Sequence, residues 1–354
     1  MQLSPWNLAR QHTGPRSKIA VLIACFNRKQ KTLACIDAVL AQSALVDVVL
    51  DFYVTDDASS DGTGDALLLS YPGIWVSRGN GALFWNGGMR LAWEQAFKGD
   101  YDFYLWLNDD TFLYPGALQG MLDADAEGIV KGGRAGIVVG ATEDGTGRTS
   151  YGGELQKSAC LPLTLTRLEP NGKLQACDTF NGNCVLVSRA AAGILGNLDR
   201  GFVHAMGDTD YGLRAKRQGV PVWLMPFFAG RCVNDHQVEG CYRDSALPLA
   251  KRLQNKLSAK SLPWRPWKIL CRRHAGIAWP VYWLWPYVKT VFVPDWPRKN
   301  SALSKGSPNS ARPPQDRKDH PMSSVMPAQI AAEPTKHGLN TEEQRHDKNR
   351  NDYQ

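Results

Sequence analysis

From Lys18 to Asp110 the sequence alternates short apolar runs with stretches of helical periodicity, and this alternation limits the fold more than any other feature. Residues 18–25 form a continuous apolar run, which reads as a buried strand. Residues 31–42 follow with apolar side chains at 33, 36, 39 and 40, the stripe of one helix face. A second strand is expected over 48–55, a short helix to Tyr71 and a short strand over 74–77. A glycine-rich loop over 79–88 leads into an amphipathic helix over 89–97 and a fourth strand ending at Asn108. Such spacing implies βαβ units, a mainly parallel sheet and right-handed crossovers. No GxGxxG follows the first strand and no GxxxxGK[ST] occurs, so neither the Rossmann nor the P-loop phosphate cradle is present.

Later segments are less regular. Residues 132–180 hold short apolar runs, glycines and polar turns, as expected for a smaller mixed region over the sheet. Strands are expected over 184–188 and 221–226, with helices over 189–195 and 207–218. The predicted organisation is a flexible 1–17, a first half 18–131, a second half 132–244, a basic helical extension 245–299 and a disordered tail 300–354, poor in large apolar residues.

Charge and cysteine usage narrow the setting. Between Lys251 and Lys299 the only acid is Asp295, among eleven Lys and Arg residues, and this asymmetry points to a polyanionic partner of the segment, either anionic lipid or nucleic acid. Six tryptophans (264, 267, 279, 283, 285, 296) lie in the same stretch. Tryptophan, tyrosine and basic residues together fit an interfacial, monotopic contact through 263–297 better than a spanning helix, because prolines and Lys289 interrupt the apolar run. Packing of this segment on the core is the alternative. Eight cysteines show no metal-type spacing, and residues 1–16 have no apolar core of a signal peptide. The expected setting is therefore reducing and cytoplasmic, peripheral on the inner face of the cell membrane.

The polar residues at the strand ends carry the chemistry. Asn108-Asp109-Asp110 leaves the fourth strand at the edge where open α/β sheets bind ligands, and adjacent acids there can hold a hard cation. Four motifs occur in order: Ala24-Cys25-Phe26-Asn27-Arg28, the run from Thr55 to Thr63, Asn108-Asp109-Asp110 with Pro115, and Gly207-Asp208-Thr209-Asp210-Tyr211-Gly212-Leu213-Arg214. In that order, over about 18–240, they resemble the family 2 glycosyltransferases. The resemblance implies an α/β chain of GT-A type, with a nucleotide-binding sheet sandwiched by helices. It also implies a nucleoside-diphosphate sugar as donor, Mg²⁺ or Mn²⁺, and an inverting displacement.

Carried over by position, the resemblance places Ala24 and Asn27 beside the nucleotide and Asp56 and Asp57 at its base. Asn108 and Asp109 lie with the nucleotide, and Asp110 is the metal ligand, joined by His236 in the loop after the last strand. Asp208 is the implied base toward the acceptor hydroxyl, with Asp210 second; Gly207 stands where the family usually has Glu. Asn86, Gly87 and Gly88 open a helix where backbone N–H groups can approach a substrate. Trp85 either stacks on a base or sugar or packs in the core. Arg214 pairs with one of the acids or reaches the diphosphate, and His204 lines the acceptor side. The stretch Phe84 to Met89 looks like a rhamnosyltransferase-like subgroup. The expected acceptor is a saccharide or lipid-linked intermediate in cell-surface polysaccharide synthesis. Two other readings compete. A nucleotidyltransferase of related fold requires a glycine- and Lys/Arg-rich loop that residues 24–28 do not supply. A nucleic-acid-binding protein would have to bring phosphates to acidic strand tips, so no nucleic-acid partner is expected.

Overall fold

The computed structural model describes residues 17–42, 45, 47–158, 160–233 and 247–292. The first half runs β1 (Ser17–Cys25), α1 (Lys29–Leu40), β2 (Val48–Asp56), α2 (Thr63–Ser70), β3 (Trp75–Arg78), α3 (Phe84–Ala96) and β4 (Phe103–Asn108). β1 pairs in parallel with β2 on one side and β4 on the other, and β3 extends the sheet beyond β2. Alternate side chains of β1 serve opposite faces. Ile19, Val21 and Ile23 pack with Cys35, Ile36 and Val39 of α1, whereas Ala20 and Leu22 pack with Met89 and Trp93 of α3. Burial on both faces is why the strand has no polar alternation.

The first half closes with β5 (Phe112–Leu113) and α4 (Ala117–Gly132), and the second runs β6 (Ile137–Glu143), β7 (Thr149–Tyr151), β8 (Gly153–Ser158), β9 (Leu161–Arg167), β10 (Gln175–Ala176), β11 (Thr179–Phe180), β12 (Cys184–Ser188), α5 (Arg189–Leu195), α6 (Gly207–Arg217) and β13 (Val222–Arg231). The main sheet has the order β10-β13-β6-β12-β4-β1-β2-β3, so both halves share it. β12 lies antiparallel between β4 and β6, and the sheet is therefore mixed. β11, β8 and β9 form a separate small sheet, the irregular region expected over 132–180. β13 runs five residues past the predicted end at Pro226. Its register shifts between Leu224 and Phe228, and a bulge of this kind tolerates proline inside a strand.

Helix α3 begins at Phe84, five residues before the predicted start, so glycines read as loop lie in its first turns. The cause is Asp57, whose Oδ2 accepts the N–H groups of Leu83 (2.9 Å) and Phe84 (3.0 Å) and so satisfies the helix start. Gly88 is required there: a Cβ would lie 2.8 Å from the Cβ of Ala24, and its absence lets α3 sit directly on β1. Trp106 of β4 stands in an aromatic cluster with Trp93 (5.2 Å) and Tyr211 (5.0 Å), which ties α3 and α6 to the same strand. Last come α7 (Leu249–Lys256), α8 (Trp264–His274) and α9 (Trp279–Phe292).

Candidate active site

Strand register builds one edge of the site. Ala24 of β1 is level with Thr55 of β2 and with Asn108 of β4, so three strand ends open at the same height. The turns beyond are held by polar side chains. Asn27, in the left-handed region at φ 52°, accepts the Ser60 N–H at its Oδ1 (2.7 Å), and Asp56 Oδ1 accepts that of Ser59 (3.0 Å). Asp57 accepts Gly81 N–H at its Oδ1 (2.8 Å) in addition to the start of α3. Of these residues Ala24 and Asp57 line the central cavity, while Asn27 and Asp56 brace the loop beside it.

The acidic tip of β4 is closed by an arginine. Nη1 of Arg28 lies 3.2 Å from Asp109 Oδ1 and 2.5 Å from Asp110 Oδ2. Burial pushes the Asp109 carboxyl up to about 7, with Asp110 adding to the rise and Arg28 opposing it. Asp110 faces the cavity, and the Cys232 thiol approaches its Oδ1 at 3.5 Å. Burial, with the Asp110 charge, holds that thiol up at about 12, so it stays protonated and donates. Asn108 Oδ1 accepts Trp85 Nε1–H at 2.7 Å. Trp85 therefore has its polar end satisfied by the site and its ring edge against Trp106. Arg28→Met would leave the buried Asp109 without its counter-charge. Stability is expected to fall by about 1–3 kcal/mol, read from the denaturant midpoint.

The donor set at this tip fits a hard divalent cation held by one protein carboxylate, with substrate phosphates and water completing the shell. Asp110 is the available carboxylate, and its Oδ2 is the atom that Arg28 occupies. Among the described residues no three His, Cys, Asp or Glu side chains converge on one point. His236 lies outside the described residues.

A cavity of about 670 Å³ joins this tip to the start of α6. Ala24, Arg28, Asp57, Trp85, Asn108, Asp109 and Asp110 line it from the sheet and α3; Asn181, Gly182, Asn183, His204, Asp208 and Thr209 line it from the second half. Asp208 accepts the N–H of Gly182 at Oδ2 (2.9 Å) and that of Thr209 at Oδ1 (2.8 Å). Burial nevertheless raises its pKa, because two backbone donors do not offset lost hydration. His204 also faces the cavity, with Phe84 packed edge-on against its ring at 6.0 Å.

Gly207, beside Asp208, has a steric cause. A Cβ there would fall 1.8 Å from Asn86 Oδ1, so the side chain of Asn86 takes the room a residue at 207 would need. Asn86 is fully buried, and its Nδ2 donates to the carbonyls of Asp199 (3.0 Å) and Phe202 (2.8 Å). It thus braces the start of α3 against the loop before α6. The N–H groups of Asn86 and Gly87 are likewise taken by the Val203 carbonyl, at 3.0 and 3.4 Å. Neither Gly87 nor Gly88 lines the cavity.

Asp210 and Arg214 belong to a different construction. Asp210 is 0% exposed and binds Arg214 Nε (2.9 Å), Arg273 Nη1 (2.8 Å to each oxygen) and His274 Nε2 (2.9 Å). These partners outweigh burial and hold its carboxyl below the usual range. Arg214 also donates to the Leu195 and Asn197 carbonyls and lies away from the cavity. The cluster fastens α8 to α6.

Two residues, one in the cavity lining and one behind it, carried no signal in the sequence. Lys260, from the connection between α7 and α8, lines the cavity, although its segment reads as a basic helical extension outside the two halves. Glu154 of β8 stands behind Asn181 and close enough to Asp208 that the Asp208 charge, after burial, raises its pKa. An isolated acid in an irregular stretch gives no hint of this; only the pairing of Glu154 with Thr179 brings it beside α6.

A family model described as glycosyl transferase family 2 matches residues 20–193. The chain belongs to that family. The mixed sheet flanked by helices is accordingly of GT-A type. No curated protein sequence matches the glycosyltransferase. Its coordinates match 212 chains of solved structures. One is the mannosyltransferase PcManGT from Pyrobaculum calidifontis in complex with GDP-Man and Mn2+, at 14% identity and a TM-score of 0.46, covering 79% of this chain and 71% of that one. The family match takes in the Asp110 tip of the glycosyltransferase and ends before α6, so the place of Asp208 rests on the geometry alone.

Proposed function

We propose that this glycosyltransferase moves a sugar, with inversion, from a nucleoside-diphosphate donor to a hydroxyl of a saccharide or lipid-linked acceptor in cell-surface polysaccharide synthesis. The observation that carries the reading is a single cavity lined by both Asp110 and Asp208. The acceptor oxygen attacks the anomeric carbon as the bond to the diphosphate breaks; the electron pair leaves with the phosphate, and the acceptor proton goes to Asp208. A carboxylate whose pKa is raised by burial is a stronger base than an exposed one, which suits it to this proton. Asp110 would hold Mg²⁺ or Mn²⁺, with His236 a further candidate ligand, and the cation would supply Lewis-acid stabilisation of the leaving diphosphate. Asn108 and Asp109 stand beside the same group. Trp85, Ala24 and Asp57 contribute the surface against the nucleoside, and Asn27, Asp56, Asn86, Gly87 and Gly88 keep that surface in shape.

A screen of sugar nucleotides for hydrolysis and transfer, with Mn²⁺ or Mg²⁺ and with chelator, tests the proposal. The expected result is turnover of at least one donor that chelation lowers by about a hundredfold or more and either cation restores. Turnover that survives chelation undiminished would transfer the charge-stabilising role from a cation to Arg28, which already sits on both acids. Absence of turnover with every donor in both conditions would overturn the reading.

A further inference from the structure

Helix α9 shows its apolar face to solvent. Val281 (67% exposed), Leu284, Trp285 (57%), Val288, Val291 and Phe292 (77%) follow the spacing of one helical stripe, and Ile277, fully exposed, extends it. The opposite face is the packed one. Trp283 and Tyr287 meet Trp264 of α8 at 4.2 and 4.9 Å, and Thr290 is buried, with Lys256 Nζ donating to it at 2.6 Å. Pro286 removes the N–H that would bond the Tyr282 carbonyl, and Trp267 Nε1–H replaces it at 3.2 Å. The helix is thus fixed on α7 and α8, and α8 is fixed on the core by Arg273 and His274. This leaves the outward stripe without a partner among the described residues, and a contiguous exposed apolar face of this kind marks an interaction surface.

Charge identifies the partner. Residues 249–292 contain no Asp or Glu, and Lys251, Lys260, Arg265, Arg272 and Lys289 are exposed among them. Lys268 lies over the Trp283 ring at 4.7 Å, keeping a cation beside an aromatic of the packed layer. A protein partner would have to match an apolar stripe bordered by cations alone, whereas an anionic bilayer offers both complements, acyl chains and acidic headgroups. The described α9 is too short to span. Its 14 residues reach about 21 Å against a hydrocarbon core of about 30 Å, and no helix among the described residues is long and apolar enough to cross a membrane.

We propose that the outer face of α9, with the acid-free basic segment around it, docks the protein in the interfacial layer of an anionic lipid bilayer. Lys260 belongs both to this segment and to the cavity lining, so the basic segment reaches the site. A lipid-linked acceptor would meet the enzyme there. Docking does not depend on the reaction assigned above, and its test needs no donor.

The full-length protein is floated with phosphatidylcholine vesicles that contain phosphatidylglycerol, and with pure phosphatidylcholine vesicles, at low and high salt. Binding is expected to be about tenfold stronger on the anionic vesicles and to weaken with salt. The combined variant Val281→Ser, Trp285→Ser, Val288→Ser should lose about tenfold of that binding while melting at the same temperature, since all three side chains are exposed. Trp285→Phe alone should remove the blue-shifted part of the tryptophan emission that vesicles induce. Failure of the wild type to float on either vesicle, or equal flotation of the triple variant, would overturn the proposal. So would a dimer in solution that the triple variant dissolves without any vesicle binding, which would give the face to a second copy of the chain.

Discussion

Asp208→Asn is expected to lower kcat by about 10²–10⁴-fold, the range for removing a positioned general base, while donor affinity stays within about twofold of wild type. The substitution keeps size and shape, and Asn Oδ1 still accepts one of the two N–H groups that hold the carboxylate, from Gly182 and Thr209. Only the capacity to take a proton is removed. The wild-type pH profile carries the same signature. Asp208 must be ionised to act, and burial raises its pKa, so the rate should climb with pH through a midpoint above that of an ordinary aspartate. The residual rate of Asp208→Asn should lack that limb. Protonation of Asp109, pushed up to about 7 beside Arg28, falls in the same region. The variant comparison separates the two, since Asp109 is intact in both proteins.

Asp210→Ala should produce the largest loss of stability of any single change discussed above. Its carboxylate is fully buried among Arg214, Arg273 and His274, and removing it leaves two guanidinium groups facing each other across an empty site. Loss of one member of such a buried cluster costs about 3–5 kcal/mol. The measurable result is a lower denaturant midpoint, with detachment of α8 seen as earlier proteolysis between α6 and α9. The pH sense follows from the lowered pKa. A carboxyl depressed in the folded state contributes stability that is fully present above its unfolded value and lost as pH falls through the folded one. Wild type should therefore lose stability on acidification through and below the normal aspartate range, and Asp210→Ala should lose less there.

The first half was readable because its physics is local. A continuous apolar run such as β1 can be satisfied only by burial on both faces, and the polar triplet after β4 can only be a strand end. Helix α3 was misread at its start because the group that initiates it, Asp57, lies 27 residues earlier in the chain than Phe84. Long-range causes of the same kind hid the rest. Gly207 looks like a departure from the family pattern until Asn86 is seen occupying its space. Asp208 and Asp210 lie two residues apart on one helix, so nothing local divides them into a cavity residue and an anchor. Arg273 and His274, more than sixty positions away, make the division. In the tryptophan-rich segment the packing alternative accounts for one face only. Its inner aromatics pack on the helices beside them, and its outer ones face solvent.

The central claim is that the donor diphosphate is gripped at Asp110 and the acceptor is deprotonated at Asp208, in one cavity. The most direct test is the donor dissociation constant, measured with Mn²⁺ present for wild type, Asp110→Ala and Asp208→Asn. Asp110→Ala should weaken donor binding by tenfold or more and Asp208→Asn should leave it nearly unchanged, a split of at least about 1.4 kcal/mol between the two. Equal affinities for all three proteins, or a loss confined to Asp208→Asn, would contradict it.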